Sequence, residues 1–225
     1  MVDERMTRRQ ALIKIGKAAA GAAVVVAAAV GLGGFYYETK PSNQTVEPGY
    51  TSLFDGTLNG WQEAGPGGFE VVDGMMQTSG GMGLLWYTKT EFKDFILKVD
   101  WKEAHFSDNS GVFVRFADPA GDPWSAVNGG YEIQIDNVGA PNGNPLYKTG
   151  AVFNFQAPTS VASNPVGEWN HYEIQVVGQN YKVTLNGQVV IPDFVGSRST
   201  VGYIGLQNHD ETSTVTFRNI RIKEL

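Results

Sequence analysis

The chain has 225 residues, of which 42% are hydrophobic and 12% aromatic, and it contains no cysteine. These values exclude a disordered or collagen-like body, and they exclude disulfides, thiolate zinc sites, iron–sulfur ligation and a cysteine nucleophile. A formal net charge of −6 gives no basic face of the kind nucleic acid requires.

The first element in chain order is a basic head. Five basic and two acidic residues precede Glu38, whereas twelve basic and 21 acidic residues follow from there. Thr7-Arg8-Arg9-Gln10-Ala11-Leu12-Ile13-Lys14 leads into an uncharged run, rich in Ala, Gly and Val, from Ala18 to Tyr37. Adjacent arginines before an apolar stretch have the form of a twin-arginine export signal, with Ala11 where Phe is usual. A run of about 20 residues is also long enough for a membrane anchor. Residues 1–37 are therefore expected to be a twin-arginine-type signal or anchor, with the export machinery as partner, and 38–49 a polar linker. The body, 50–225, is then extracytoplasmic: periplasmic, cell-surface or secreted, with anchoring through 18–37 as the alternative to cleavage.

The body alternates with period two. Phe95, Leu97, Val99 and Trp101 alternate with Ile96, Lys98, Asp100 and Lys102. Val112, Val114 and Phe116 alternate with Phe113 and Arg115; Tyr131, Ile133 and Ile135 with Glu132, Gln134 and Asp136; Tyr172, Ile174 and Val176 continue the pattern. Asn186-Gly187 between Leu185 and Gln188 is a type I′ hairpin signal, and the apolar phase slips at Arg218-Asn219 as at a bulge. These patterns predict an all-β, two-sheet antiparallel sandwich with Val99, Val114, Ile133, Ile135, Ile174, Val183 and Leu206 in its core.

Glu132, Gln134 and Asp136 share one strand face at a spacing of roughly 7 Å. Carboxylates accept from sugar hydroxyls or act as general base and acid, and the amide both donates and accepts. The plain alternative is a solvated strand face. Asn109 opens a strand that carries Arg115 on its non-aliphatic face, and Gln207 and His209 share a face opposite Leu206, so all four can converge on the acidic row. Arg115 is a candidate to neutralise a carboxylate, with a structural ion pair as the alternative; His209 is a candidate acid or base, with an ordinary loop histidine as its alternative.

These segments in this order resemble the 3-keto-disaccharide hydrolase domain family, whose fold resembles the concanavalin-like and laminin-G-like sandwich. The matching stretches include Ser52-Leu53-Phe54-Asp55-Gly56, Asn109 to Arg115, Gly130 to Asn137, Gly167-Glu168-Trp169-Asn170, Leu185-Asn186-Gly187, Gly205-Leu206-Gln207 with His209, and Phe217 to Leu225. The family usually reads Gln-Asp-His-Gly where this chain has Gln207-Asn208-His209-Asp210. The resemblance implies an exported carbohydrate-active protein acting on 3-keto glycosides. Such chemistry needs a base and an acid, for which Glu132, Asp136 and His209 are the candidates. Arg115, Gln207 or a metal would hold the oxyanion, and Asn109 and Gln134 would bind substrate. An ordinary two-carboxylate glycosidase is the neighbouring mechanism. A lectin-like binding module, in which Trp86, Tyr87 and Trp124 in loops stack on sugar rings, and an envelope structural protein are the other classes. No cofactor is required by the sequence; a divalent metal such as calcium is compatible with it.

Overall fold

The computed structural model describes residues 46–225. The expected signal or anchor and most of the expected linker lie outside the described residues. The last part of that linker rests on the body, where Glu47 pairs with Lys98 at 2.7 Å. Among the described residues no helix is long and apolar enough to cross a membrane.

Among the described residues, thirteen strands form two antiparallel sheets. In the larger sheet the order is β11 (Gln188–Val195), β10 (Asn180–Leu185), β9 (Asn170–Val177), β6 (Phe95–Glu103), β13 (Val215–Glu224), β4 (Met75–Ser79) and β3 (Gly68–Val72), with β1 (Thr51–Ser52) paired to the end of β13. The smaller sheet runs β2 (Trp61–Ala64), β5 (Gly83–Tyr87), β12 (Tyr203–Asn208), β7 (Asn109–Phe116) and β8 (Tyr131–Asp136). One short helix, α1 (Trp124–Gly129), follows β7, and its first N–H is capped by Asp122 Oδ1 at 3.0 Å.

Period two decides which residues meet between the sheets. Phe95, Leu97, Val99 and Trp101 of β6, and Tyr172, Ile174 and Val176 of β9, face Val112 and Val114 of β7 and Ile133 and Ile135 of β8. Each is at most 1% exposed, and all seven expected core residues are fully buried. The Asn186-Gly187 turn has φ of 51° and 81°, both in the left-handed region that a type I′ turn requires. The expected bulge in β13 is present: the pairing passes from Arg218↔Asp100 to Arg221↔Lys98, with Asn219 at φ 51°. The extra residue restores Ile220 and Ile222 to the core.

The outer face of the smaller sheet is buried as well. Ala64, Leu84, Trp86, Phe113, Phe116 and Ala126 form a second apolar cluster under α1. The segment after β8 folds back along the strand's free edge: Gln134 N–H donates to Ala151 O, Gly150 N–H to Gln134 O and Phe153 N–H to Glu132 O, at 2.9–3.0 Å. This covers an edge that would otherwise expose unpaired backbone groups, and it walls in the polar face of β8.

Candidate functional site

β7 and β8 pair in the register Asn109↔Asp136, Gly111↔Gln134 and Phe113↔Glu132, which brings the odd residues of one strand and the even residues of the other to one face. Glu132, Gln134 and Asp136 form the floor of a groove of about 340 Å³. Asn109, Gln207 and His209 line it with them, and Trp124, Phe153 and Tyr147 supply walls. The floor is 2–4% exposed, more enclosed than a solvated strand face, because α1 and the returning segment stand over it.

Glu132 receives no hydrogen bond to Oε1 from any protein group. Burial alone pushes its carboxyl up to about 8. Gly111 makes room for it, since a Cβ there would collide with Glu132 Oε1 and with its Cγ and Cδ. Asp136, two pleats away, is held differently. Its Oδ1 accepts from the N–H groups of Val138 and Gly139 at 2.7 and 2.9 Å, and its Oδ2 from Ala140 N–H at 3.1 Å. Those bonds fix the turn that leads into the groove wall. One carboxyl is thus unpartnered and shifted, whereas the other is saturated by backbone donors.

The amides are oriented by neighbours. Gln134 Nε2 donates to Asn109 Oδ1 at 3.1 Å, and Asn208 Nδ2 donates to the carbonyls of Gly68 and Ser79 at 3.1 and 2.8 Å. An Asp at 208 would present oxygens to those two carbonyls, which accounts for the amide in this chain. Gln134 Oε1, Gln207 Oε1 and Asn208 Oδ1 find no donor within the protein, as with Glu132 Oε1. Four groove-lining residues therefore each carry a buried oxygen whose hydrogen-bonding capacity the protein itself leaves unused. His209 sits half-exposed at the rim, with Nδ1 2.8 Å from Asp210 Oδ2.

Three expected site residues lie elsewhere. Arg115 has φ 58° and falls where the β7–β12 pairing slips between Tyr203↔Phe116 and Ile204↔Val114. This bulge breaks the alternation after Val114, places Phe116 in the outer cluster and turns Arg115 away from the groove. Its fully buried guanidinium donates to the carbonyls of Gly178 and Lys93 and to Asp94 Oδ1. Arg115 is an end-of-sandwich clamp, as the ion-pair alternative holds. Trp86 lies within β5 rather than in a loop, packed edge-on against Tyr203 with ring centres 4.7 Å apart and only 7% exposed. Tyr87 is likewise a strand residue and packs in the core against Trp61 and Phe92. Neither presents a free face to a sugar. Trp124, 54% exposed at the start of α1, does. Phe153, Tyr147 and the space over Gly111 went unread in the sequence; a glycine on the polar face of a strand, opposite Gln134, was the available signal. Among the described residues no group of three or more His, Asp or Glu side chains is placed to hold a metal ion.

Because the folded-state carboxyl of Glu132 titrates near 8 against an ordinary 4.5, the sign of its effect on stability is fixed. Below pH 4.5 both states are protonated. As pH rises through the window to about 8, the unfolded chain ionises while the folded one does not, and stability is lost. Glu132→Gln does not titrate, so urea unfolding is expected to show its stability relative to the parent rising by a few kcal/mol between pH 5 and pH 9. A difference that stays constant with pH contradicts the desolvated carboxyl.

Residues 49–223 match the family described as the 3-keto-alpha-glucoside-1,2-lyase-like domain, and the chain belongs to that family. Two candidate glycosyl hydrolases of Parabacteroides distasonis are similar in structure. One is 26% identical with a TM-score of 0.67, covering 79% of this chain and 94% of its own. The other is 28% identical with a TM-score of 0.65, covering 78% and 99%. A carbohydrate-binding module of Bacillus subtilis, 17% identical with a TM-score of 0.52 over 73% of this chain and 96% of its own, shares the sandwich fold. No curated protein matches the chain.

Proposed function

We propose that this protein is an exported carbohydrate-active enzyme that cleaves 3-keto glycosides by proton abstraction and elimination. The observation that carries the proposal is Glu132: an unpartnered, desolvated carboxyl on the floor of a groove whose other lining side chains offer amide groups and an exposed tryptophan face. Family membership supports the 3-keto glycoside class, and the names of the two Parabacteroides proteins support action on glycosides in general.

The chemistry follows from the ketone. A carbonyl at sugar carbon 3 acidifies the hydrogen on carbon 2. Glu132, as carboxylate, takes that proton; the C–H electrons form the C2=C3 bond and the carbonyl oxygen becomes an enediolate. Amide N–H groups of Gln134, Gln207 and Asn109 are the donors available to that oxygen. Re-formation of the ketone then makes the C1=C2 bond and breaks the bond from C1 to the glycosidic oxygen, which takes a proton from His209. Water adds its hydroxyl to C1 and gives its proton to His209, C2 takes a proton from Glu132 after that carboxyl has exchanged with solvent, and the net result is hydrolysis. Asp136, whose oxygens are occupied by backbone N–H groups, serves the groove wall rather than proton transfer. No cofactor is needed for these steps.

Incubation of the purified body with a 3-keto glycoside and with the same glycoside bearing an ordinary hydroxyl at carbon 3 tests this reading. Release of the aglycone from the keto compound alone is expected. Saturable binding of both without release favours the sugar-binding module instead. For export, Arg8 and Arg9 are proposed as the address, and replacing both with Lys is expected to leave precursor in the cytoplasm; undiminished export contradicts it.

A further inference from the structure

The rim histidine has a fixed acceptor. His209 Nδ1 and Asp210 Oδ2 are 2.8 Å apart. The carboxylate is held in turn: its Oδ1 accepts from the N–H and hydroxyl of Thr212, both at 2.7 Å, and from Ser213 N–H at 2.8 Å, while Oδ2 accepts from the Ser213 hydroxyl at 3.2 Å. Ser213 Oγ also accepts Asn109 N–H at 2.9 Å, and the Asn109 side chain meets Gln134 Nε2 at 3.1 Å and Asp136 Oδ2 at 3.4 Å. One chain of hydrogen bonds therefore runs from the rim to the groove floor. Burial works to raise the Asp210 carboxyl, but the bonds from His209, Thr212 and Ser213 outweigh it and hold the group well below the usual carboxylate range. Asp210 is an anion whenever the groove is at neutral pH.

An anionic acceptor at Nδ1 places the ring proton there and leaves Nε2 as the exchanging atom. We infer that Asp210 is a positioning residue that keeps Nδ1–H of His209 on its carboxylate, so that the imidazolium delivers its Nε2 proton to the departing glycosidic oxygen and the neutral Nδ1–H ring left behind recovers one at Nε2 from the water that adds to carbon 1. The inference rests on the elimination reading above. It adds a residue that neither the sequence pattern nor the family description assigns.

Asp210→Asn is the informative change. The Asn Oδ1 still accepts from Thr212 and Ser213, so the turn is retained, while its NH₂ replaces the oxygen that met Nδ1. Long-range ¹⁵N–¹H spectra of the full-length protein are expected to show the neutral His209 ring as Nδ1–H in the parent and as Nε2–H in Asp210→Asn. With a 3-keto glycoside, kcat is expected to fall about 10²-fold or more with little change in KM. In a His209→Gln background, Asp210→Asn is expected to add no further loss, whereas a purely structural role gives an additive one. An Nε2–H ring in the parent, or unchanged kcat in Asp210→Asn, overturns the inference. A parent with the Nδ1–H ring that releases no aglycone from any 3-keto glycoside overturns the elimination reading itself, and with it the catalytic use of the dyad.

Discussion

Replacing Glu132 with Gln is expected to lower the turnover of a 3-keto glycoside by about 10²–10⁴-fold, the range lost with a positioned general base. The substitution keeps the side-chain shape in the space left by Gly111 and removes only the titrating group. Binding of the keto glycoside is therefore expected to persist. The parent carries its own signature. A base with its carboxyl pushed up to about 8 is mostly protonated at pH 6, so the rate is expected to rise as pH climbs from 6 towards 8. The same burial that makes the ionised form costly makes it a stronger base towards carbon 2 than a solvated glutamate. Steady-state rates of parent and Glu132→Gln across pH 5–9 check both statements. An undiminished rate in the variant removes Glu132 from the mechanism.

Replacing Arg115 with Ala is expected to destabilise the fold by about 3–5 kcal/mol, the cost of breaking a buried ion pair from one side. Asp94 Oδ1 loses its partner at 3.1 Å, and the carbonyls of Gly178 and Lys93 lose their donors at the end of the sandwich. Arg115→Lys is expected to recover little of this, because one ammonium cannot reach the set of acceptors that the planar fork spans. Urea unfolding at pH 7 measures both, and ligand affinity of the folded fraction is expected to match the parent. A variant of parental stability that has lost turnover contradicts this placement and returns Arg115 to the groove.

Arg115 also marks where reading by period two stops. Alternation held wherever strands ran unbroken: β6, β8 and β9 bury the residues whose spacing said they would, and Glu132, Gln134 and Asp136 leave on the opposite face together. The bulge at Asn219 was legible because the apolar phase slips visibly around Arg218-Asn219. The bulge at Arg115 left no such trace. An Arg in the left-handed region is an unusual choice there, the residue after it is apolar in either phase, and the space behind it comes from Gly202, far away in sequence, where a Cβ would meet Arg115 Cα at 2.9 Å. Trp86 failed for a different reason. It lies in a strand apolar on both faces, and only the packing of α1 and Tyr203 over the outer face shows that its ring is spent on a second core. The acidic row itself was legible; the contrast between its two carboxyls was not. Asp136 is committed to three N–H groups of a turn and Glu132 to none, a difference made by the chain that follows β8 rather than by β8.

The central claim is that a glycosidic bond is broken through the hydrogen on carbon 2, with Glu132 as its acceptor. Aglycone release from a 3-keto glycoside deuterated at carbon 2, compared with the unlabelled compound, tests that claim most directly. A slower rate for the deuterated substrate is predicted in the parent, together with exchange of the carbon 2 hydrogen for solvent in recovered sugar. Equal rates, with that deuterium fully retained in the released sugar, would contradict it and point to direct displacement at carbon 1.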